Sequence, residues 1–201
     1  MGRQSKDERR EKILESTWKL IARDGLGATN MRSLAAEAGY ANGALAYYFE
    51  GKEDLLRAAF EYVLNQTRQR IAAATHGLRG LAALRVFCAE MLPDDDLKVL
   101  EARVVLPFWS SALTDAGFAA LHERALLSFR RHLRKCLSQA AASKEIPAPR
   151  NKAQHVASAE ALLTILTGVQ VLGALSPKQH NKAMMWTIVD NFVQQLKTVE
   201  G

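Results

Sequence analysis

The stretch NMRSLAAEAGYANGALAYYFEGK, residues 30–52, constrains the fold more than any other part of the chain. Asn30 is a good N-cap for a helix over MRSLAAEA, because its side-chain oxygen can accept from the free amides of the first turn. Met31, Leu34, Ala35 and Ala38 recur on one face of that helix. Gly39 can then adopt the positive φ that ends it without the penalty a Cβ would bring. A third helix must start almost at once, and its candidate is NGALAYYF. Leu45 and Phe49, four apart, can pack inward, which leaves Asn42, Gly43, Ala44, Tyr47 and Tyr48 toward the outside. Two short helices joined by so tight a turn make a helix-turn-helix.

The flanking segments support that reading. Residues 5–24 form a first helix, in which Ser5 and Glu8 make a capping box and Ile13, Leu14, Trp18, Leu20 and Ile21 share a face. Gly25 and Gly27 stop it. A longer helix follows over 52–76, with Leu55, Leu56, Ala59, Phe60, Val63 and Leu64 along one side. Lys52 stands at its start, where the helix dipole disfavours a cation, and a bound phosphate would explain it as well as an ordinary surface lysine would. Two tyrosines on an exposed short helix suit contact with nucleic acid. A ring can touch a thymine methyl or a sugar, and a phenol can donate to phosphate. Arg32 and Asn42 are the base-reading candidates, since Arg pairs bidentately with guanine and Asn with adenine. Packing of the tyrosines against a neighbouring helix is the alternative.

Helix is expected throughout. Ala, Leu, Arg, Glu and Lys dominate, and three of the five prolines fall in the punctuations LPDDD and IPAPR. The fold class is therefore all-α. Beyond residue 78, helices alternate with LPDDD, LTDAG, EIPAPR and ALSPKQ, and Ser176, Pro177 and Gln179 read as a helix start. The last two helices, over 152–174 and 178–198, carry apolar surfaces wider than one stripe, so they can serve an internal core and a helix-pair dimer interface together. Leu162, Leu166, Val169, Met185, Val189 and Phe192 are the expected interface residues.

The chain lacks the equipment of an enzyme. It contains no GxSxG, HExxH, GxGxxG or GxxxxGK[ST] motif, and none of its five histidines has a metal-ligand partner at helical spacing. No catalytic site, metal or cofactor is expected. Cys88 and Cys136 are isolated and fit reduced core residues. The charged amino terminus and the lack of about 18 consecutive uncharged apolar residues predict a cytoplasmic protein without a membrane segment. A net charge of +6 makes an anionic partner plausible, while the run RRHLRK, residues 130–135, reads as the solvated face of a long helix. Residues 80–135 carry an excess of aromatics that predicts either dense packing or a small-molecule pocket lined by Phe87, Phe108, Trp109 and His122. Glu101 shares a helix face with Leu97, Val104 and Phe108, where it is a solvated edge, a neighbour of a neutral ligand, or the countercharge for a cationic one.

The segments DGLGATNMRSLAAEAG and YANGALAYYFEGKEDLL resemble the TetR family of bacterial transcriptional repressors, whose pattern of Gly, Tyr, Phe and Lys-Glu-x-Leu they follow at the same spacings. The resemblance implies DNA contacts at Asn30, Arg32, Asn42, Gly43, Ala44, Tyr47, Tyr48 and Lys52. Asn30 stands where Thr is usual, Ala41 where a Ser-like cap is usual, and Ala46 where Tyr is frequent. The segment PFWSSALTDAGFAALHERALLSFRRHLRKCL is similar to the corresponding part of choline- and betaine-type repressors. The family likeness implies a helix-turn-helix DNA-binding domain over 1–51 and an antiparallel helical domain for ligand binding and dimerisation over 52–201. It further implies a homodimer on double-stranded operator DNA, released by a small-molecule inducer that is cationic or apolar. An activator or architectural DNA-binding protein without such a signal is the alternative.

Overall fold

Eight α-helices and two short 3-10 segments make up residues 5–198, the part that the computed structural model describes. No strand occurs among the described residues, so the fold is all-α. The helices are α1 (Lys6–Asp24), α2 (Met31–Ala38), α3 (Lys52–Ala74), α4 (Gly80–Met91), α5 (Asp96–Ala112), α6 (Ala116–Ala142), α7 (Lys152–Leu175) and α8 (Lys182–Thr198). A 3-10 turn, Leu26–Ala28, follows α1, and a 3-10 helix, Asn42–Tyr47, follows α2. The chain divides into two compact units, residues 1–66 with 103–122 and residues 67–102 with 123–201.

In the first unit local chemistry sets the ends of the helices. The Ser5 hydroxyl accepts from the Glu8 amide at 3.1 Å while the Glu8 carboxylate accepts from the Ser5 amide at 2.6 Å, which closes the expected capping box. Asn30 and Ser33 repeat the device at the start of α2, with both bonds at 3.0 Å. Gly39 ends α2 in the left-handed region at φ +75°. The expected third helix is a single 3-10 segment, and Ala41 before it offers no side-chain cap. What holds this segment is burial: Leu45 and Phe49 join Ile13, Leu14, Leu34, Ala35, Ala38, Leu55 and Ala59 in one apolar core. Phe60, Phe108 and Phe118 form a separate aromatic cluster with ring centroids 4.8 to 6.4 Å apart.

The second unit is tied by polar contacts distant in sequence. Asp94, in the α4–α5 corner, is nearly buried and accepts from Lys98 at 2.5 Å, Lys182 at 3.2 Å and the Trp186 indole at 3.4 Å. Burial alone would raise its carboxyl pKa, but the bonds from Lys98 and Lys182 outweigh burial and hold it below the usual range. The Glu145 carboxylate accepts from the Leu81 amide at 3.0 Å and so caps α4, which has no cap of its own. Gly80, at φ +56°, leaves the room that carboxylate occupies.

One expectation about this unit is corrected. Helix α8 begins at Lys182 and not near 178: Ser176 is the C-cap of α7, the residues after it form a turn, and Asn181 accepts from the Met184 amide in the capping role. Residues Ala153–Leu175 of α7 are long and apolar enough by length and composition to cross a membrane, although Glu160 interrupts the uncharged run. Its Glu160 pairs with Arg130 of α6 at 2.7 Å, and α7 packs on α8 and α4. Cys88 and Cys136 are both buried and free, as expected. Burial pushes the Cys88 thiol up to about 12 and the Cys136 thiol up to about 11.

Candidate nucleic-acid interface

The alternation in and just after the 3-10 segment sorts these residues. Leu45 and Phe49 are buried, whereas Tyr47 between them is 70% exposed. Tyr48 is half-buried against the core and meets the Tyr47 ring edge-on, with centroids 5.0 Å apart. Packing against the core thus holds for Tyr48, while the Tyr47 ring is left open to solvent. Gly43 is exposed with nothing within 4 Å of a built Cβ, and Ala44 is half-buried. The side chain of Asn42 lies outside the described residues. Asn30 is exposed, but its side-chain oxygen is engaged in the α2 cap, so it has less freedom to read a base than an unbound amide. Arg32, at the second position of α2, is exposed. Lys52 is half-buried as the first residue of α3, and Glu53 and Asp54 in the same turn match the dipole that Lys52 opposes.

The residues expected around a ligand fall into both units. Phe108 is fully buried between Phe60 and Phe118 in the first, where half-buried Trp109 and His122 also meet with ring centroids 5.8 Å apart. Phe87 is fully buried in the second, stacked on His132 and edge-on to Phe129. Glu101, also in the second unit, is neither solvated nor free. Arg70 donates to both of its oxygens, at 2.8 and 2.6 Å, and through Nε to Glu90 at 3.1 Å. The three side chains are 12 to 29% exposed, and two carboxylates share one guanidinium, so the group carries a net charge of −1. Arg70 and Glu90 escaped the sequence reading because nothing local marks them: Arg70 and Glu101 stand 31 positions apart.

Residues 13–59 match the family described as bacterial regulatory proteins of the tetR family, and residues 80–197 match the C-terminal part of BetI-type transcriptional repressors. The chain belongs to the TetR family. It is a DNA-binding transcriptional regulator. The HTH-type transcriptional regulator BetI of Burkholderia mallei (strain NCTC 10229) is 28% identical over 193 residues, spanning 94% of this chain and 93% of its own. A transcriptional regulator from Saccharomonospora viridis, solved in complex with choline, superposes with a TM-score of 0.80 at 21% identity, covering 94% of this chain and 97% of its own. A complex of SmeT with triclosan gives 0.74 at 18% identity, covering 95% and 93%. These two share the fold with this TetR-family chain.

The helix pair α7 and α8 of this TetR-family chain places the expected dimer residues differently from the sequence reading. Leu162, Leu166, Val169, Met185 and Val189 are each at most 3% exposed within a single chain. They have no surface left to give a second copy and form the core of their own unit; Phe192 is half-buried. The apolar side chains that the same two helices leave outside are Val156, Leu172, Leu175 and Met184, each more than 40% exposed. Apolar periodicity identified the helices and could not tell which stripe meets which neighbour.

Proposed function

We propose that this chain is a cytoplasmic homodimeric repressor that leaves a palindromic operator when a small cationic molecule binds its C-terminal part. Residues 1–51 would dock on DNA, and residues 52–201 would bind the inducer and pair the two copies. The observation that carries the reading is the alternation of buried Leu45 and Phe49 with a Tyr47 ring left 70% exposed, on a segment that the family uses for DNA. A tyrosine suits such a face because it joins an apolar ring to a polar tip that can donate or accept. Arg32, Asn42 and Tyr47 would face the bases and sugars, and Asn30, Gly43, Ala44, Tyr48 and Lys52 the backbone around them. Two such faces related by a two-fold axis reach successive major grooves only when they are about 34 to 36 Å apart. An inducer that prefers another separation lowers operator affinity by its differential binding, about 1 to 3 kcal/mol in typical allosteric systems.

A cation is favoured by the net negative group of Arg70, Glu90 and Glu101, since a partly desolvated surplus charge is relieved by a second positive one. The likeness to BetI-type C-terminal parts and to a regulator solved with choline points the same way. Phe87, in the same unit as that group, is fully buried and would reach an inducer only after repacking. The dimer would use the exposed side chains of α7 and α8, with Phe192 at the margin. Fluorescence anisotropy on DNA upstream of the chain's own gene, with and without choline, tests the whole reading. Specific binding that choline weakens is the expected result. Binding to DNA that choline and other quaternary ammonium compounds leave unchanged would remove the cationic inducer. No preference for that DNA over random sequence would remove this operator.

A further inference from the structure

Lys6 is the first residue of α1, where the partial positive charge of a helix N-terminus disfavours a cation. Asp7 and Glu8 in the same turn match that field, and Lys6 opposes it. Among the described residues its ammonium enters no ion pair; it stands 4.8 Å from the centroid of the Tyr47 ring. One turn further on, the Arg10 guanidinium lies 5.2 Å from the Phe49 ring, and Lys12 lies 5.9 Å from the Tyr40 ring. Three cations of α1 thus rest on aromatic side chains in and beside the 3-10 segment, all within one unit.

The three pairs are not equivalent. Phe49 is buried and Tyr40 half-buried, so Arg10 and Lys12 cover rings already held by the core. Tyr47 is the exposed one, on a segment whose start has no side-chain cap. Without support its ring samples several rotamers, and an ammonium on its face narrows them. The ring occupies one side of the ammonium. An ammonium has three donors and no acceptor, and among the described residues nothing takes the N–H bonds on its other side.

We propose that Lys6 belongs to the DNA interface as a positioning residue: its ammonium props the Tyr47 ring and at the same time donates to the backbone phosphate beside the nucleotide that the ring touches. This rests on the docking face proposed above. It explains why a cation is placed where the helix dipole opposes it, because a phosphate brought to that end of α1 is favoured by ammonium and dipole together.

The test is a set of anisotropy titrations of operator DNA over a range of salt concentrations. It uses the full-length wild type, Lys6→Gln, Lys6→Arg, Tyr47→Ala and the double variant Lys6→Gln/Tyr47→Ala. Lys6→Gln is expected to weaken binding about five- to tenfold near physiological salt and to flatten the plot of log K against log salt by about one unit per protomer. Lys6→Arg restores both, since guanidinium also stacks on aromatic rings and binds phosphate. In the Tyr47→Ala background the loss from Lys6→Gln is smaller than in the wild type, because the two residues act as a pair. A Lys6→Gln variant with wild-type affinity and slope, beside a weakened Tyr47→Ala, overturns the inference and leaves the docking face standing. A weakened Lys6→Gln with an unchanged slope overturns the phosphate contact. If Tyr47→Ala also binds as the wild type does, the docking face itself fails, and the inference fails with it.

Discussion

Helix α2 and the 3-10 segment after it are neighbours of similar length that are held in opposite ways. Helix α2 is closed by its own sequence, with the reciprocal Asn30–Ser33 bonds at one end and a left-handed Gly39 at the other. The 3-10 segment has no side-chain cap at Ala41 and stays in place because Leu45 and Phe49 are sunk in the core. An element fixed by local bonds keeps its shape even where its packing is loose. An element fixed by two buried anchors has a shape only when docked, and its backbone can adjust around them. The part of the interface expected to enter the groove is thus the part with least local stiffness. That suits a surface which must fit DNA on binding.

Removing an anchor should break this arrangement most severely. Leu45→Ala leaves a cavity at a fully buried site, is expected to cost about 2 to 5 kcal/mol of stability, and should abolish operator binding before the rest of the chain unfolds. Chemical denaturation followed by far-UV circular dichroism, alongside anisotropy, measures both; a variant with wild-type stability would show that the segment does not depend on this anchor. Gly39→Ala comes next. A left-handed backbone at φ +75° costs a residue with a Cβ about 1 to 2 kcal/mol, and the thermal midpoint should fall accordingly. Asn30→Ala removes the α2 cap and should cost about 1 kcal/mol, with Asn30→Ser retaining most of it.

The smallest effect sharpens the comparison best. Ala41 already has the extended backbone of a capping residue, φ −64° and ψ 147°, close to that of Ser5 at φ −63° and ψ 165°. Ala41→Ser should therefore supply the missing cap at no backbone cost and stabilise by about 0.5 kcal/mol or more. If the uncapped segment is ordered by DNA, the same substitution tightens operator binding about two- to threefold, because less order remains to be imposed on docking. Unchanged affinity with a raised thermal midpoint would show a segment already ordered in the free protein.

How far the sequence could be read follows the same division. Ser5 with Glu8, Asn30 and Gly39 were legible because each acts within four residues of itself. Leu45 and Phe49 were legible because burial of one face follows from spacing. The 3-10 geometry was not, since a helix over 42–49 and a tighter coil share the same inward pair. Ser176 misled because its pairing with Pro177 and Gln179 satisfies the rule for a helix start, while in the structure it closes the preceding helix. The fork of Arg70 on Glu101 and the seating of Glu145 on α4 depend on residues brought together from 31 and 64 positions away, which no periodicity encodes. The dimer residues failed for a related reason. Two apolar stripes on one helix look alike until the core has claimed one of them.

The raised thiol values of Cys88 and Cys136 have a practical consequence. A thiol at about 11 or 12 is almost wholly protonated near neutral pH, and burial denies it to reagents as well. The folded chain is therefore nearly silent toward maleimide and iodoacetamide dyes. A cysteine introduced at an exposed position such as Arg32 would be the site that reacts. In a two-fold dimer one such substitution places a matched pair of fluorophores. The distance between the two recognition segments, and its change when an inducer arrives, can then be read in solution with both native cysteines left in place.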